Sequence, residues 1–287
     1  MADPTPRAVP TRRIDFGFPG ADLPRHFMDD NLLASHVVVV LSCMFPDGED
    51  FFVRSVRNYR DRITDPELRR QVAGFIGQEA VHGREHRAFN DRLGELGYPT
   101  RYLQARVRIL LGLVDRVLPK AHRLAITAAL EHYTAALAQQ LMEEPTETMR
   151  TSDPEIRQLF LWHALEESEH KTVAFDVFRT VSGSHRIRSG MMHITTFGFL
   201  LALVTGLVVS VATDPEARRP RQLRRDLRDL RTTHLASPEL RRRIADYHRR
   251  DFHPDDHDTD ALLEQWRTEL FGDGGTLVDR LRGTAAA

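Results

Sequence analysis

Two stretches carry residue types from which chemistry can be built. Gly77-Gln78-Glu79-Ala80-Val81-His82-Gly83-Arg84-Glu85-His86 holds a Glu-x-x-His pair and a second histidine one turn further on. His163-Ala164-Leu165-Glu166-Glu167-Ser168-Glu169-His170 holds another such pair, preceded by its own extra histidine. Residues three, four and seven apart share a helix face, so Glu79, His82 and His86 project from one rod and His163, Glu167 and His170 from another. Two inward-facing Glu-x-x-His helices are half of what a carboxylate-bridged pair of metal ions needs.

The other half is a glutamate on each of two further helices. Glu49 shares a face with Phe52, Val53 and Val56, and Glu131 shares one with Leu124, Ala128, Ala135 and Leu141. Antiparallel helices joined by short loops would bring Glu49, Glu79, His82, Glu131, Glu167 and His170 to one level of a bundle. Four carboxylates can neutralise and bridge two divalent ions, and imidazoles can complete each ion. The oxygen and nitrogen donors suit Fe(II), Mn(II) or Zn(II). A single Glu-x-x-His is usually a surface coincidence. Two copies, each preceded by an acid on an apolar stripe, are far more specific, because an unpaired carboxylate in a core is strongly destabilising. No lysine or arginine on those stripes offers a counter-charge. His86 or His163 is a candidate additional ligand, the alternative for each being a hydrogen bond to a ligand. Glu166 rivals Glu167, being four residues before His170. Glu85, Glu169 and His132 fall off the stripes and are expected in supporting or surface roles. Thr134, Phe52, Phe75 and Phe89 are candidates to line a pocket, with core packing the commoner use of such aromatics.

The elements that position these residues announce their starts. Thr64-Asp65-Pro66-Glu67 and Ser152-Asp153-Pro154-Glu155 each offer a capping side chain, a first-turn proline and an acid at the positive helix end. The first predicts a helix to about Leu96, the second a helix to about Ser182. Asp30-Asn31 caps a helix through Val37 and Leu41, and Phe45-Pro46-Asp47-Gly48 reads as a turn or kink before a helix over 47–63. Amphipathic helices follow over 101–117 and 121–144. Residues 1–29 read as a surface arm, 30–213 as the metal-binding helical bundle with an apolar helix over 188–212, and 214–287 as a charged helical extension. The tail 283–287 reads as disordered.

Composition narrows the class. The 287 residues balance to a net charge of −1, which gives no footprint for nucleic acid. Cys43 is the single cysteine, so neither a disulfide framework nor a thiolate metal site can form within the chain, which suits a reducing cytoplasm. The N-terminal residues lack a signal-peptide core. The segment 191–212 is long enough to span a bilayer, but His193, Thr195, Thr196, Thr205 and three glycines dilute it. Burial in the protein, at the centre of the bundle or at a homodimer interface, is the favoured reading, and membrane association the lesser one.

These residues also carry a resemblance. Phe45-Pro46-Asp47-Gly48-Glu49, Phe75-Ile76-Gly77-Gln78-Glu79-Ala80-Val81-His82, His163 to Lys171, and the late Asp251-Phe252-His253-Pro254 resemble a bacterial family of predicted metal-dependent hydrolases, ferritin-like in appearance. The resemblance implies an all-α, ferritin-like four-helix bundle with additional helices. The ligand order is also similar to that of di-iron oxygenases and N-oxygenases of aromatic amines, which add a histidine to the usual six ligands. That likeness implies Glu49, Glu79, His82, Glu131, Glu167 and His170 as ligands, with His86 or His163 as the extra one. The expected function is a non-haem di-iron oxidase or oxygenase holding two iron ions, with manganese or zinc as alternatives. It would use dioxygen, a small organic substrate of amine or amino-acid origin, and an external electron donor. A metal-dependent hydrolase with the same ligands, or a ferroxidase, are the alternatives.

Overall fold

Capping residues set the long helices where the sequence places them. Asn31 accepts from Ala34 N and opens α1 (Leu32–Arg57), Asp65 accepts from Glu67 N and opens α2 (Pro66–Glu95), and Asp153 accepts from Glu155 N and opens α6 (Pro154–His170). Between them lie α3 (Thr100–Val117), α4 (Lys120–Glu143) and the short α5 (Glu147–Thr151). After them come α7 (Val173–Val181), α8 (His185–Ala212), α9 (Pro220–Leu230), α10 (Pro238–Asp246) and α11 (Asp260–Phe271). A computed structural model describes residues 8–218, 220–230, 235 and 237–283. Arg219 of the basic run and residues 284–287 of the tail lie outside the described residues. The fold is all-α: among the described residues the one extended pairing is an isolated antiparallel bridge, Ile14 to Leu281.

α1 packs against α2, α3 and α8, and α4 packs against α6, α7 and α8. Along α2, Val72 and Phe75 belong to one buried apolar cluster and Phe89 and Leu93 to another, with the ionisable residues between them.

Four expectations change. Of the turn or kink expected at Pro46 there is no turn: α1 continues through the proline. A proline frees the carbonyl four residues earlier, here that of Ser42, and Asn90 Nδ2 of α2 donates to it at 3.0 Å. The penalty of an internal proline is thereby relieved, and Glu49 stays on the continuous helix. Residues 8–29 are no surface arm; residues 1–7 lie outside the described residues. Ile14, Phe16, Phe18 and Phe27 are buried, and the chain crosses α2 where Gly74 and Gly77 leave room. A Cβ on Gly74 would stand 2.1 Å from Val9 O, and one on Gly77 2.0 Å from Thr11 Oγ1. The helix begun at Pro154 ends at His170, and a turn at Lys171-Thr172 separates it from α7. Lys171 leaves the helix line to donate to Thr259 Oγ1 at 3.1 Å and to the carbonyl of His257.

The fourth change concerns α8. It is not buried at the centre of the protein. Gly206 brings it close to α1, where a Cβ would meet Val40 Cγ1 at 2.9 Å, but Phe197, Leu201, Val204 and Val208 face outward. The segment Leu32–Arg62 and α8 are each long and apolar enough to cross a membrane; the first is 72% buried over its most apolar stretch, α8 only 22%.

Candidate metal centre

Four helices deliver the ionisable residues to one buried place. α1 brings Glu49, α2 brings Glu79, His82 and His86, α4 brings Glu131, and α6 brings His163, Glu167 and His170. Glu167 lies at the middle. Its Oε1 is 2.8 Å from His163 Nε2 and 3.6 Å from His82 Nδ1, and Glu49 Oε1 is 3.9 Å from the same His163 nitrogen. Its Oε2 is 3.6 Å from His170 Nε2, which lies 3.3 Å from both Glu79 Oε1 and Glu131 Oε2. Glu49, His82 and His163 thus form one half, and Glu79, Glu131 and His170 the other. His82 stands apart from its own sequence partner, Glu79. Glu49, His82 and His163 bring ligand atoms within 4.8 Å of one another, and so do Glu79, Glu167 and His170. Gly83 makes room for the first half, since a Cβ there would stand 3.1 Å from Glu49 Oε2.

Both oxygens of Glu49, Glu79 and Glu131, Glu167 Oε2, His82 Nδ1 and His170 Nε2 are buried with no hydrogen-bond partner. Buried polar groups are almost always paired, and a lone buried carboxylate is strongly destabilising. Converging carboxylate oxygens and bare imidazole nitrogens are the donor set that two divalent cations fit.

The outer hydrogen bonds fix which ring nitrogens are bare. Ser42 Oγ donates to Asn90 Oδ1 at 2.7 Å, so it accepts from His86 Nδ1 at 2.9 Å. His86 Nε2 then accepts from His163 Nδ1 at 2.7 Å, and His163 Nε2 carries only a lone pair toward Glu167. Two lone-pair atoms 2.8 Å apart repel unless a proton or cation lies beside them. His86, with both nitrogens engaged, has none to offer an ion. It orients His163 instead, as the partner of a ligating histidine does. Gln78 Oε1 accepts from His170 Nδ1 at 2.9 Å, so Nε2 faces the carboxylates; burial lowers the pKa of this imidazole, but Glu131 and Glu167 outweigh that and hold it well above its ordinary value. Glu169 Oε2 in turn holds Gln78 Nε2 at 2.9 Å. Arg12 bonds Glu166 at 2.9 Å and Glu169 at 2.7 and 2.8 Å, and Glu166 Oε2 lies 3.0 Å from His82 Nε2.

Glu166 is therefore no alternative to Glu167. It stands behind His82, on the side away from the centre. Burial pushes its carboxyl up to about 8 against the pull of Arg12, so one proton is shared with His82 Nε2. A cation at His82 Nδ1 would place that proton on Nε2.

Burial also pushes Glu49 and Glu79 well above the usual carboxylate range, and neighbouring carboxylates add to it. Glu131 rises to about 7 by burial, restrained by His170. Glu167 shifts the other way: burial raises it, but His170 and His163 together outweigh that. His82 is held neutral by burial and by His163.

A third group, His26, His36 and Asp214, makes a useful contrast. Asp214 Oδ2 accepts from both imidazoles at 3.1 Å and from Arg25 at 3.2 Å, Oδ1 accepts from Glu216 N, and His36 Nδ1 meets Ser210 Oγ at 2.7 Å. Its carboxylate is fully paired and an arginine supplies the positive charge. It pins the N-terminal segment and α1 to the end of α8.

The sequence reading missed Arg12, Gln78, Ser42 and Asn90. Gln78 adjoins Glu79 and could have been suspected. Arg12 reaches the site from a segment with no periodic signal. Phe52 and Thr134 line the cavity beside the centre, Phe75 sets its edge to His170 at 5.0 Å, and Phe89 packs with Phe18 and Phe27. His132 donates to or accepts from no acid here; its Nε2 meets Arg243 O at 2.8 Å. Glu85 accepts from Phe16 N at 2.9 Å, fastening the N-terminal segment. His253, from the late motif, bonds Asp176 at 3.1 Å and caps the short turn at Pro254–Asp256.

No curated protein and no solved structure matches the chain. A family model does, over residues 10–258, a span that includes every residue of the centre. The chain belongs to the family described as predicted metal-dependent hydrolase.

Proposed function

We propose that the chain is a metal-dependent enzyme working through two ions, one held by Glu49, His82 and His163, the other by Glu79, Glu131 and His170, with Glu167 bridging them. The observation that carries this reading is the ring of bare, buried donor atoms on either side of Glu167. The family description makes hydrolysis the first reading. Two bound ions would supply Lewis acidity and a lowered pKa for water, which is the chemistry hydrolysis asks of a metal. The chain's own residues hold the ions, neutralise them, and fix the imidazoles through Glu166, Gln78 and His86. Glu49, His163 and Glu167 line the inner end of a cavity, which leaves one side of the first half open to a substrate.

A second reading is oxidation by dioxygen at two irons, in a ferritin-like bundle. It is favoured by the donor set itself, a glutamate from each of two helices and a Glu-x-x-His from each of two others. Metal loading separates the two. Metal-free protein is titrated without oxygen with Zn(II), Mn(II) and Fe(II), and bound metal is counted by elemental analysis. Two ions per chain are expected; none, or a count unaffected by Glu167→Ala, overturns the centre. Ester cleavage by the zinc-loaded form under anaerobic conditions supports hydrolysis. Oxygen uptake by the iron-loaded form, with zinc inert, supports the second reading.

A further inference from the structure

The cavity above the centre has a volume of about 660 Å³, the size of a site for a sizeable small molecule. Its wall comes from α1, α3, α4, α6 and α8 and is overwhelmingly apolar, as Leu41, Leu111, Leu137 and Phe199 illustrate. Ionisable residues meet it at the inner end, where Glu49, His163 and Glu167 stand, and elsewhere only as acids such as Glu147. Among the described residues, no lysine or arginine lines it. Along that wall, away from the inner end, a carboxylate or phosphate would lose its water and find no counter-charge among the described residues, which is strongly unfavourable. The opening lies between α3 and α8: Leu110 and Ile194 both line the cavity and reach solvent, at 45% and 55% exposure. A ligand entering there meets apolar side chains from the rim inward.

Resting on the proposed centre, we propose that its substrate is a long-chain molecule with no charged group along its chain. Its reactive end lies at Glu167 and its hydrocarbon chain runs along α1, α4 and α8. Chain length is then the quantity the site reads. The small amine or amino acid that ligand order alone suggested would leave most of this wall in contact with nothing.

The test uses n-alkanols of increasing length, which displace Nile red from the full-length protein with and without Zn(II). An alkanol has no charge and no strong metal donor, so the chain alone is measured. Affinity is expected to rise about fourfold per methylene, the fold-change equivalent to ~0.8 kcal/mol, until the cavity is filled. Gly198 lines the cavity, and a Cβ built on it meets nothing within 4 Å. Gly198→Leu therefore fills space without a clash, and leucine favours the helix over glycine. It is expected to weaken the longest alkanols at least about tenfold while short ones and the bound-metal count stay unchanged. Ala202→Leu, one turn on and also on the wall, is the second variant. Affinity independent of chain length, or long-chain binding untouched in both variants, overturns the inference. Metal counted on the same samples keeps the cases apart. Two ions with no chain dependence sinks the substrate class alone; chain dependence with no ion sinks the centre alone.

Discussion

Glu131 shows what burial does to an acid of the centre before any metal is bound. Burial lifts its carboxyl from 4.5 to about 7, restrained by His170. The sign follows from linkage. Above 4.5 the unfolded chain gives up this proton while the folded protein keeps it, so the glutamate destabilises the metal-free fold increasingly as pH rises to about 7. Glu131→Gln should thus stabilise metal-free protein by about 1–3 kcal/mol at the upper end of that window. The gain should vanish below 4.5. The same variant should lose most of the stabilisation that added metal gives wild type; thermal melts across pH, with and without Zn(II), read both effects. A related outcome concerns protons. Burial raises the carboxyls of Glu49, Glu79 and Glu131 above their ordinary range, and ligands must be deprotonated to bind. Calorimetric titration with Zn(II) in buffers of differing ionisation enthalpy should therefore show net proton release; proton uptake would contradict the assignment. These acids were legible in the sequence because charge on an apolar stripe is conspicuous. The choice between His86 and His163 was not legible, because it rests on the partners of ring nitrogens. Ser42 and Asn90, which set those partners, come from different helices.

At the level of elements, α1 and α2 are tied by one asparagine. Asn90 donates to the carbonyl that Pro46 leaves free and accepts from the hydroxyl that sets the His86 tautomer. Asn90→Leu removes both bonds in a fully buried place. It is expected to destabilise the protein by about 1–3 kcal/mol for the unpaired carbonyl, read as a shift in the urea midpoint. It should also weaken metal binding, because His163 loses its fixed orientation. Loss of stability with undiminished metal affinity would restrict Asn90 to the first role. Helix starts were readable because each depends on a few adjacent residues, Asp65-Pro66 or Asp153-Pro154. The continuity of α1 was not, because the group that relieves Pro46 lies far along the chain. The end of α6 depends likewise on a distant partner, the hold of Lys171 on the segment at His257 and Thr259.

Across the whole molecule the apolar surface is strongly one-sided. Among the described residues, every exposed large hydrophobic side chain except Leu227 and Val278 lies on α3 or α8. Soluble monomers seldom present so continuous an apolar face, and here it surrounds the mouth of the cavity. Sequence reading sent α8 to the interior because its hydropathy suits a core. It could not see that α1 and α4 cover only one side of the helix. If the ligand is a long-chain molecule, this face is suited to rest where such molecules collect. Wild-type protein is therefore expected to sediment with phosphatidylcholine vesicles. Phe197 and Val204 are 71% and 57% exposed, so replacing both costs little buried contact. Phe197→Glu with Val204→Glu should leave the protein in the supernatant, with its melting temperature and metal count unchanged. Light scattering without vesicles reads the alternative. A stable dimer that ignores vesicles and becomes a monomer in the double variant would assign the face to a second copy of the chain. The route from lipid to cavity would then be wrong, although the preference of the cavity for chains could still stand.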